Sequence, residues 1–67
     1  MTRRKITRMF LARVRMGLTQ ADIAEAIGVS QPKISAWERG QVDVPEARRA
    51  QIAKLLDTPR LTLTDEV

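Results

Sequence analysis

The side chains best suited to chemistry lie in one short segment in the middle of the chain, and the chemistry that they suit is hydrogen bonding. The amide of Gln31 could pair with adenine through two hydrogen bonds, the ammonium of Lys33 could donate to guanine O6 and N7, and Ala36 could touch a thymine methyl group. Ser35 adds a hydroxyl. Pro32 has no polar group in its side chain, so its role would be packing or steric exclusion. These five residues are candidate readers of nucleic acid bases, the alternative being the polar surface of a short helix.

The composition argues against catalysis and against metal binding. The chain has 67 residues and contains neither cysteine nor histidine, so the usual zinc ligand sets, the nucleophile pairs that use histidine, and disulfides are all missing. A chain of this length forms one small domain that buries only about 60% of its unfolded surface, which leaves little room for a cofactor pocket. We therefore expect no enzyme, no cofactor and no metal site, and the lack of cysteine favours a reducing, cytoplasmic setting.

The charge is concentrated at the start of the chain. The net charge is +4, and the first 15 residues hold six of the twelve basic residues and no acidic one. Such a basic patch favours a polyanion, either nucleic acid or an anionic membrane surface, although a solvated helix face would look the same. Within it, Arg4 is a candidate phosphate contact. No apolar run approaches the roughly 20 residues of a membrane span, so no membrane partner is expected.

Hydrophobic periodicity predicts a first helix from about Thr2 to Met16, ended by Gly17. Its apolar stripe recurs at helical spacing and has one charged member; it consists of Ile6, Met9, Phe10, Arg13 and Val14. A second helix begins at a capping box, in which Thr19 is followed three residues later by Asp22, and it ends at Gly28.

Two more helices complete the predicted fold. The third begins after Ser30, a good N-cap residue, and ends at Gly40. The fourth begins at the capping pair Asp43 and Glu46 with Pro45 in its first turn, and it stops before Thr58; Arg48 and Arg49 are expected on its solvated face, and its apolar face is Ile52, Leu55 and Leu56. The predicted fold class is all-α, a bundle of four to five short helices that contains a helix-turn-helix in residues 1 to 57.

The tail, residues 58 to 67, alternates polar and apolar residues with the period of a strand. It predicts either a short strand or a loose extended segment. In a strand, Leu61 and Leu63 would project to the same side, and pairing with a second chain across a two-fold axis would bury both. A disordered tail, or one packed on its own core, is the alternative.

Apolar and small residues at fixed offsets across the second and third helices are typical of a helix-turn-helix. Those residues are Ile23, Ala24, Ile27, Gly28, Val29, Ile34 and Trp37. Trp37 is expected to be core and not a base-stacking platform. The stretch LTQADIAEAIGVSQPKISAWERG, residues 18 to 40, resembles the Cro and phage-repressor family of DNA-binding domains, and the resemblance extends from about Ile6 to Leu56.

The resemblance implies a function and further site residues. It implies a Cro-like repressor that reads the major groove of double-stranded DNA with residues 31 to 39 and binds a palindromic operator as a homodimer. It also implies phosphate contacts from residues at the helix ends, which here are Gln20, Ser30, Arg39 and Gln41. An ion pair between Arg13 and Glu38 is implied as well, the alternative being an Arg13 side chain that reaches into water.

Other partners remain open at this point. The DNA-binding module could be an antitoxin whose acidic tail binds a partner toxin, a regulator that also contacts RNA polymerase, or a module for protein interaction alone. Family members commonly have a fifth helix, which the pattern here does not predict, and nothing in the sequence indicates a small-molecule effector.

Overall fold

A computed structural model describes residues 6–67, and it contains four α-helices in this part of the chain. They are α1 (Arg8–Arg15), α2 (Gln20–Ile27), α3 (Gln31–Glu38) and α4 (Glu46–Leu56). Residues 6–67 contain no β-strand, and their β-type pairing is a single isolated bridge. The predicted all-α fold class is confirmed.

The core forms where α2, α3 and α4 meet, and α1 contributes Met9 to it. Ile34 and Trp37 lie on the inner face of α3 with 0% and 3% of their surfaces exposed, so the prediction that Trp37 is a core residue is confirmed. Burying such side chains is the main favourable term in the folding of a chain this small. The other buried apolar residues are Met9, Ile23, Ala24, Ile27, Val44, Ile52, Ala53, Leu56 and Leu63.

The first helix begins later than its apolar periodicity predicts. Ile6 lies outside the helix. Thr7 is extended and is the N-cap of α1, since its hydroxyl oxygen accepts a 3.3 Å hydrogen bond from the Phe10 N–H. A threonine in extended conformation can satisfy one of the free N–H groups of a helix start, and a position inside the helix would lose that bond. The predicted start at Thr2 is thus wrong for Ile6 and Thr7; residues 2–5 lie outside the described part of the chain. The buried face of α1 also lacks one residue of the predicted apolar stripe, because Val14 is 53% exposed.

The helix-turn-helix follows its predicted local signals closely. The capping box at Thr19 and Asp22 is present in both directions, and α2 ends at Gly28, whose φ of 73° lies in the left-handed region. Glycine has no Cβ to clash in that conformation, which is why a glycine is favoured at this turn. Ser30 is the N-cap of α3 by backbone conformation, although its side chain makes no capping hydrogen bond.

The predicted start of the fourth helix is wrong by about two residues. The N-cap of α4 is Pro45 and not Asp43, so the proline precedes the helix and does not lie in its first turn. The residue before a proline is driven out of the helical conformation. That residue is Val44, which is 5% exposed and packs into the core. Asp43 therefore lies two residues before the N-cap, too early to cap α4.

The tail does not form the predicted strand. Residues 60–64 make consecutive turns, in which the Leu63 N–H donates to the Arg60 carbonyl (3.4 Å) and the Asp65 N–H donates to the Thr62 carbonyl (3.0 Å). Turns separate side chains that alternation would place together: Leu63 is 0% exposed in the core, whereas Leu61 is 80% exposed. The prediction that Leu61 and Leu63 share one side is wrong, and the tail packs on its own core.

The tail also completes the start of α1. The Arg8 N–H donates to the Asp65 carbonyl (2.9 Å), and the Met9 N–H donates to the Leu63 carbonyl (2.8 Å). Thr7 and Glu66 form an antiparallel bridge at the same place. The first N–H groups of a helix have no partner within the helix. Here two carbonyl groups of the tail accept from two of them.

Candidate nucleic-acid interface

The interface is built on α3, which α2 holds in a fixed direction. The left-handed Gly28 turns the chain, and the Val29 N–H returns to the Ala24 carbonyl at 3.0 Å. Because Ile34, Trp37 and Glu38 are buried, the other residues of α3 face outward or sideways. The structure thereby presents one short helix on the surface of the domain, with its N-terminal end exposed.

The structure divides the five predicted base readers into two groups. Gln31, Pro32 and Lys33 are exposed at the start of α3, and Ser35 and Ala36 are half-buried in its middle. Three of the five line a surface depression of ≈380 Å³ together with two predicted phosphate contacts; the lining consists of Gln20, Gln31, Pro32, Ser35 and Arg39. Lys33 and Ala36 do not line it.

Arg39 and Ser35 form a unit at the edge of this depression. The Arg39 Nη2 donates to the Ser35 hydroxyl oxygen (2.8 Å), and its Nε donates to the Ser35 carbonyl oxygen (3.4 Å). Residues four apart lie one above the other on a helix, so these bonds hold the guanidinium against the outer surface of α3. The Ser35 hydroxyl accepts from Arg39 and keeps its own proton for donation to another group.

The predicted phosphate contacts lie at the ends of α2 and α3. Gln20 is the first residue of α2, and its Nε2 donates to the Glu38 Oε1 at 3.0 Å. Ser30 and Gln41 are exposed at the two ends of α3. Arg4 lies outside the described residues.

Arg13 and Glu38 come together as an ion pair. The Arg13 Nε lies 2.5 Å from the Glu38 Oε2, the Arg13 Nη2 lies 3.3 Å from the Glu38 Oε1, and the two side chains are 13% and 3% exposed. The guanidinium therefore does not extend into water, which was the alternative for Arg13. Its Nη1 donates to the Leu18 carbonyl at 2.8 Å. A buried carboxylate is tolerated when it is paired in this manner, and the pair joins α3 to α1.

Three structurally important residues were missed or misjudged by sequence reasoning. Thr7 is fully buried and donates from its hydroxyl to the Glu38 main-chain carbonyl (2.8 Å). Arg48 was expected on a solvated face, but its Nη1 donates to the Ile27 carbonyl (2.7 Å) at the end of α2. Arg49 donates to the Arg60 carbonyl and to the Thr64 hydroxyl, both at 3.1 Å. No local pattern signals these bonds, since each joins segments distant in sequence.

The start of α2 carries a perturbed acidic group. The Thr19 N–H donates to the Asp22 Oδ2 (2.8 Å), and hydrogen bonding from the backbone and then the side chain of Thr19 lowers the pKa of Asp22 below its usual value. The ionised carboxylate is thus favoured at the N-terminus of the helix, next to Gln20.

The comparison with protein families agrees with this geometry. A family model described as a helix-turn-helix domain matches residues 2–66, and the chain belongs to this family. The match confirms the predicted helix-turn-helix and is consistent with the resemblance to Cro and phage repressors. No curated protein gives a significant match to the sequence.

Membership of this family has a general functional meaning. Helix-turn-helix domains are DNA-binding modules of regulators, and they are typically not enzymes. In residues 6–67, none of the helices has the length and the apolar content that crossing a bilayer requires.

Proposed function

We propose that this protein is a sequence-specific, double-stranded DNA-binding transcriptional regulator, a Cro-like repressor that inserts α3 into the major groove. The observation that carries the proposal is the exposed N-terminal end of α3, a helix whose C-terminal end is held against α1 by the Arg13–Glu38 ion pair. A recognition helix reads bases with its N-terminal residues, and it needs a rigid support to do so.

The base contacts in this proposal follow from the side-chain chemistry. Gln31 pairs with adenine, Lys33 donates to guanine, and Ala36 contacts a thymine methyl group. Ser35 and Pro32 line the adjoining depression, where they shape the contact with the groove edge. Each good bidentate pair discriminates against a wrong base by about 1–3 kcal/mol.

The phosphate contacts flank the base-reading surface. Gln20 and Arg39 both line the depression, and Ser30 and Gln41 are exposed at the ends of α3. Arg4 is the proposed contact from the basic start of the chain.

A homodimer on a palindromic operator is part of the proposal. One recognition helix of eight residues reads few base pairs, and a two-fold dimer doubles the site with half-sites about one helical turn apart. Leu61 is exposed and available for a contact between subunits, whereas Leu63 belongs to the core and is not. Binding to the operator would exclude RNA polymerase, and the protein concentration would set the fraction of operator that is occupied.

The antitoxin alternative receives less support from the geometry. It assigns the tail to a toxin, but the tail packs Leu63 into the core and its carbonyls hold the start of α1. A partner that took this segment would have to displace those contacts.

The proposal is tested by a selection from randomised duplexes with the purified protein, followed by titration of the winning sequence at several salt concentrations. We expect a palindromic winner preferred over scrambled DNA by about a thousandfold or more, with a salt slope of about 0.9 per phosphate contact. The matched control is a variant with Gln31→Ala and Lys33→Ala, which should lose this consensus. An absence of enrichment contradicts specific regulation, and an unchanged consensus in the variant contradicts the assigned base readers.

A further inference from the structure

The Glu38 carboxylate receives hydrogen bonds from two side chains, and the second is not needed to neutralise it. Arg13 reaches both carboxylate oxygens and supplies the compensating positive charge. Gln20 adds a 3.0 Å bond from its Nε2 to the Glu38 Oε1. Gln20 also lines the depression beside α3. The buried carboxylate therefore connects the interior ion pair to a residue of the candidate DNA interface.

The chemistry of the partners determines how the Gln20 amide is turned. An ionised carboxylate accepts hydrogen bonds and donates none, so the NH₂ end of the amide must face Glu38. One N–H of that group is used by Glu38, and the second N–H of the same nitrogen remains for another acceptor. Phosphate oxygens are also acceptors, so an amide in the reversed orientation would oppose two oxygens to each other.

We propose that Glu38 is a positioning residue for DNA binding, whose carboxylate orients the Gln20 amide so that one nitrogen serves both Glu38 and a backbone phosphate. This inference rests on the proposed function. Arg13 has a supporting part, because it compensates a negative charge that would otherwise repel the phosphate. The Arg13 bond to the Leu18 carbonyl also holds the guanidinium close to the start of α2.

The inference predicts that Glu38 and Gln20 act on binding as one unit. The variant Glu38→Gln keeps the shape of the side chain, but its own amide can present either end to Gln20, so the orientation is no longer imposed. Residues that act through one another show non-additive effects in a double-mutant cycle. A residue that only stabilises the fold would weaken binding equally whether or not Gln20 is present.

The experiment measures binding of an end-labelled, mixed-sequence duplex of two helical turns at low salt, by fluorescence anisotropy. The four proteins are the wild type, Gln20→Ala, Glu38→Gln and the double variant. We expect each single change to weaken binding about fivefold, and the double variant to bind no more weakly than either single one. Effects that multiply in the double variant, or a Glu38→Gln protein that binds like the wild type, overturn the inference.

A second measurement protects the test against loss of folding in Glu38→Gln, where Arg13 loses its anionic partner. Circular dichroism shows whether each variant is folded. In the wild type, nuclear magnetic resonance follows the side-chain NH₂ signals of Gln20, with Gln51 on α4 as the control. We expect the Gln20 signals to shift on addition of the duplex and the Gln51 signals to stay in place. Unshifted Gln20 signals in a protein that binds the duplex overturn the inference alone, whereas a wild type that binds no duplex overturns the proposed function with it.

Discussion

The hydroxyl group of Thr7 donates a 2.8 Å hydrogen bond to the main-chain carbonyl oxygen of Glu38, which joins the start of α1 to the end of α3. The Thr7 hydroxyl oxygen also accepts the capping bond from the Phe10 N–H. One buried side chain thus serves as a helix cap and as a tie to the proposed recognition helix. Both bonds are lost together when the hydroxyl is removed.

Replacement of Thr7 by valine should therefore cost more than an ordinary cap. Valine keeps the size of threonine but leaves the Phe10 N–H and the Glu38 carbonyl without this partner, so we expect the free energy of unfolding to fall by about 1–3 kcal/mol. Urea unfolding monitored by Trp37 fluorescence measures the change. Thr7→Ser, which keeps the hydroxyl, is the control and should lose less; equal losses in the two variants would show that the methyl group matters and the hydroxyl does not.

The two leucines of the tail should differ sharply in their effect on stability. Leu63→Ala removes a fully buried side chain and should destabilise the protein by about 2–5 kcal/mol. Leu61→Ala, the matched control, changes a side chain that is 80% exposed and should stay within about 0.5 kcal/mol of the wild type at a protein concentration that keeps it monomeric. Thermal unfolding of both variants checks this, and similar melting temperatures would contradict the packed tail.

The turn of the helix-turn-helix should tolerate asparagine better than alanine. A Cβ at Gly28 would meet no atom within 4 Å, so the cost of a substitution comes from its φ of 73° and not from crowding. We expect Gly28→Ala to lower the free energy of unfolding by about 1–2 kcal/mol. Gly28→Asn should lose less, because asparagine enters the left-handed region more readily. Denaturant midpoints give the comparison, and an alanine variant as stable as the wild type would refute it.

Asp22 should make stability depend on acid pH. Its pKa is lowered in the folded protein by the bonds from Thr19, so its contribution is present above the unfolded value near 3.8 and is lost as the pH falls through the folded value. Melting temperatures measured from pH 7 downward should fall in this range. In Asp22→Asn the side chain can still accept from Thr19 but does not titrate, so its acid decline should be shallower. Parallel declines in the two proteins would assign the effect to other carboxylates.

Two basic residues of α3 and its end should affect binding in different ways. Arg39→Gln should weaken all duplexes about equally and reduce the salt slope by about one, since a phosphate contact is lost. Lys33→Gln should in addition relax the preference at one base position of the selected site. Lys54→Gln on α4 removes the same charge away from the interface and should leave the slope unchanged. An Arg39→Gln protein with altered sequence preference would reassign that residue to base reading.

Local signals in the sequence were enough to predict the helix-turn-helix. The capping box at Thr19 and Asp22, the glycine at residue 28, and the spacing of Ile34 and Trp37 all act between residues a few positions apart. Helix caps and left-handed turns depend on such neighbours, and the exposure of Gln31 and Lys33 follows from the inward face of the same helix. These features could be predicted because their physics is local.

Only the tertiary structure decided how the rest of the chain supports that motif. Helical periodicity continues through Ile6, but the start of α1 is set by the Thr7 bond to Glu38, 31 residues away, and by carbonyls near the end of the chain. The alternation of polar and apolar residues in the tail is compatible with a strand, but the structure places Leu63 in a turn with its side chain buried in the core. Bonds between distant segments depend on which surfaces meet after packing, and no local pattern of residue types determines that.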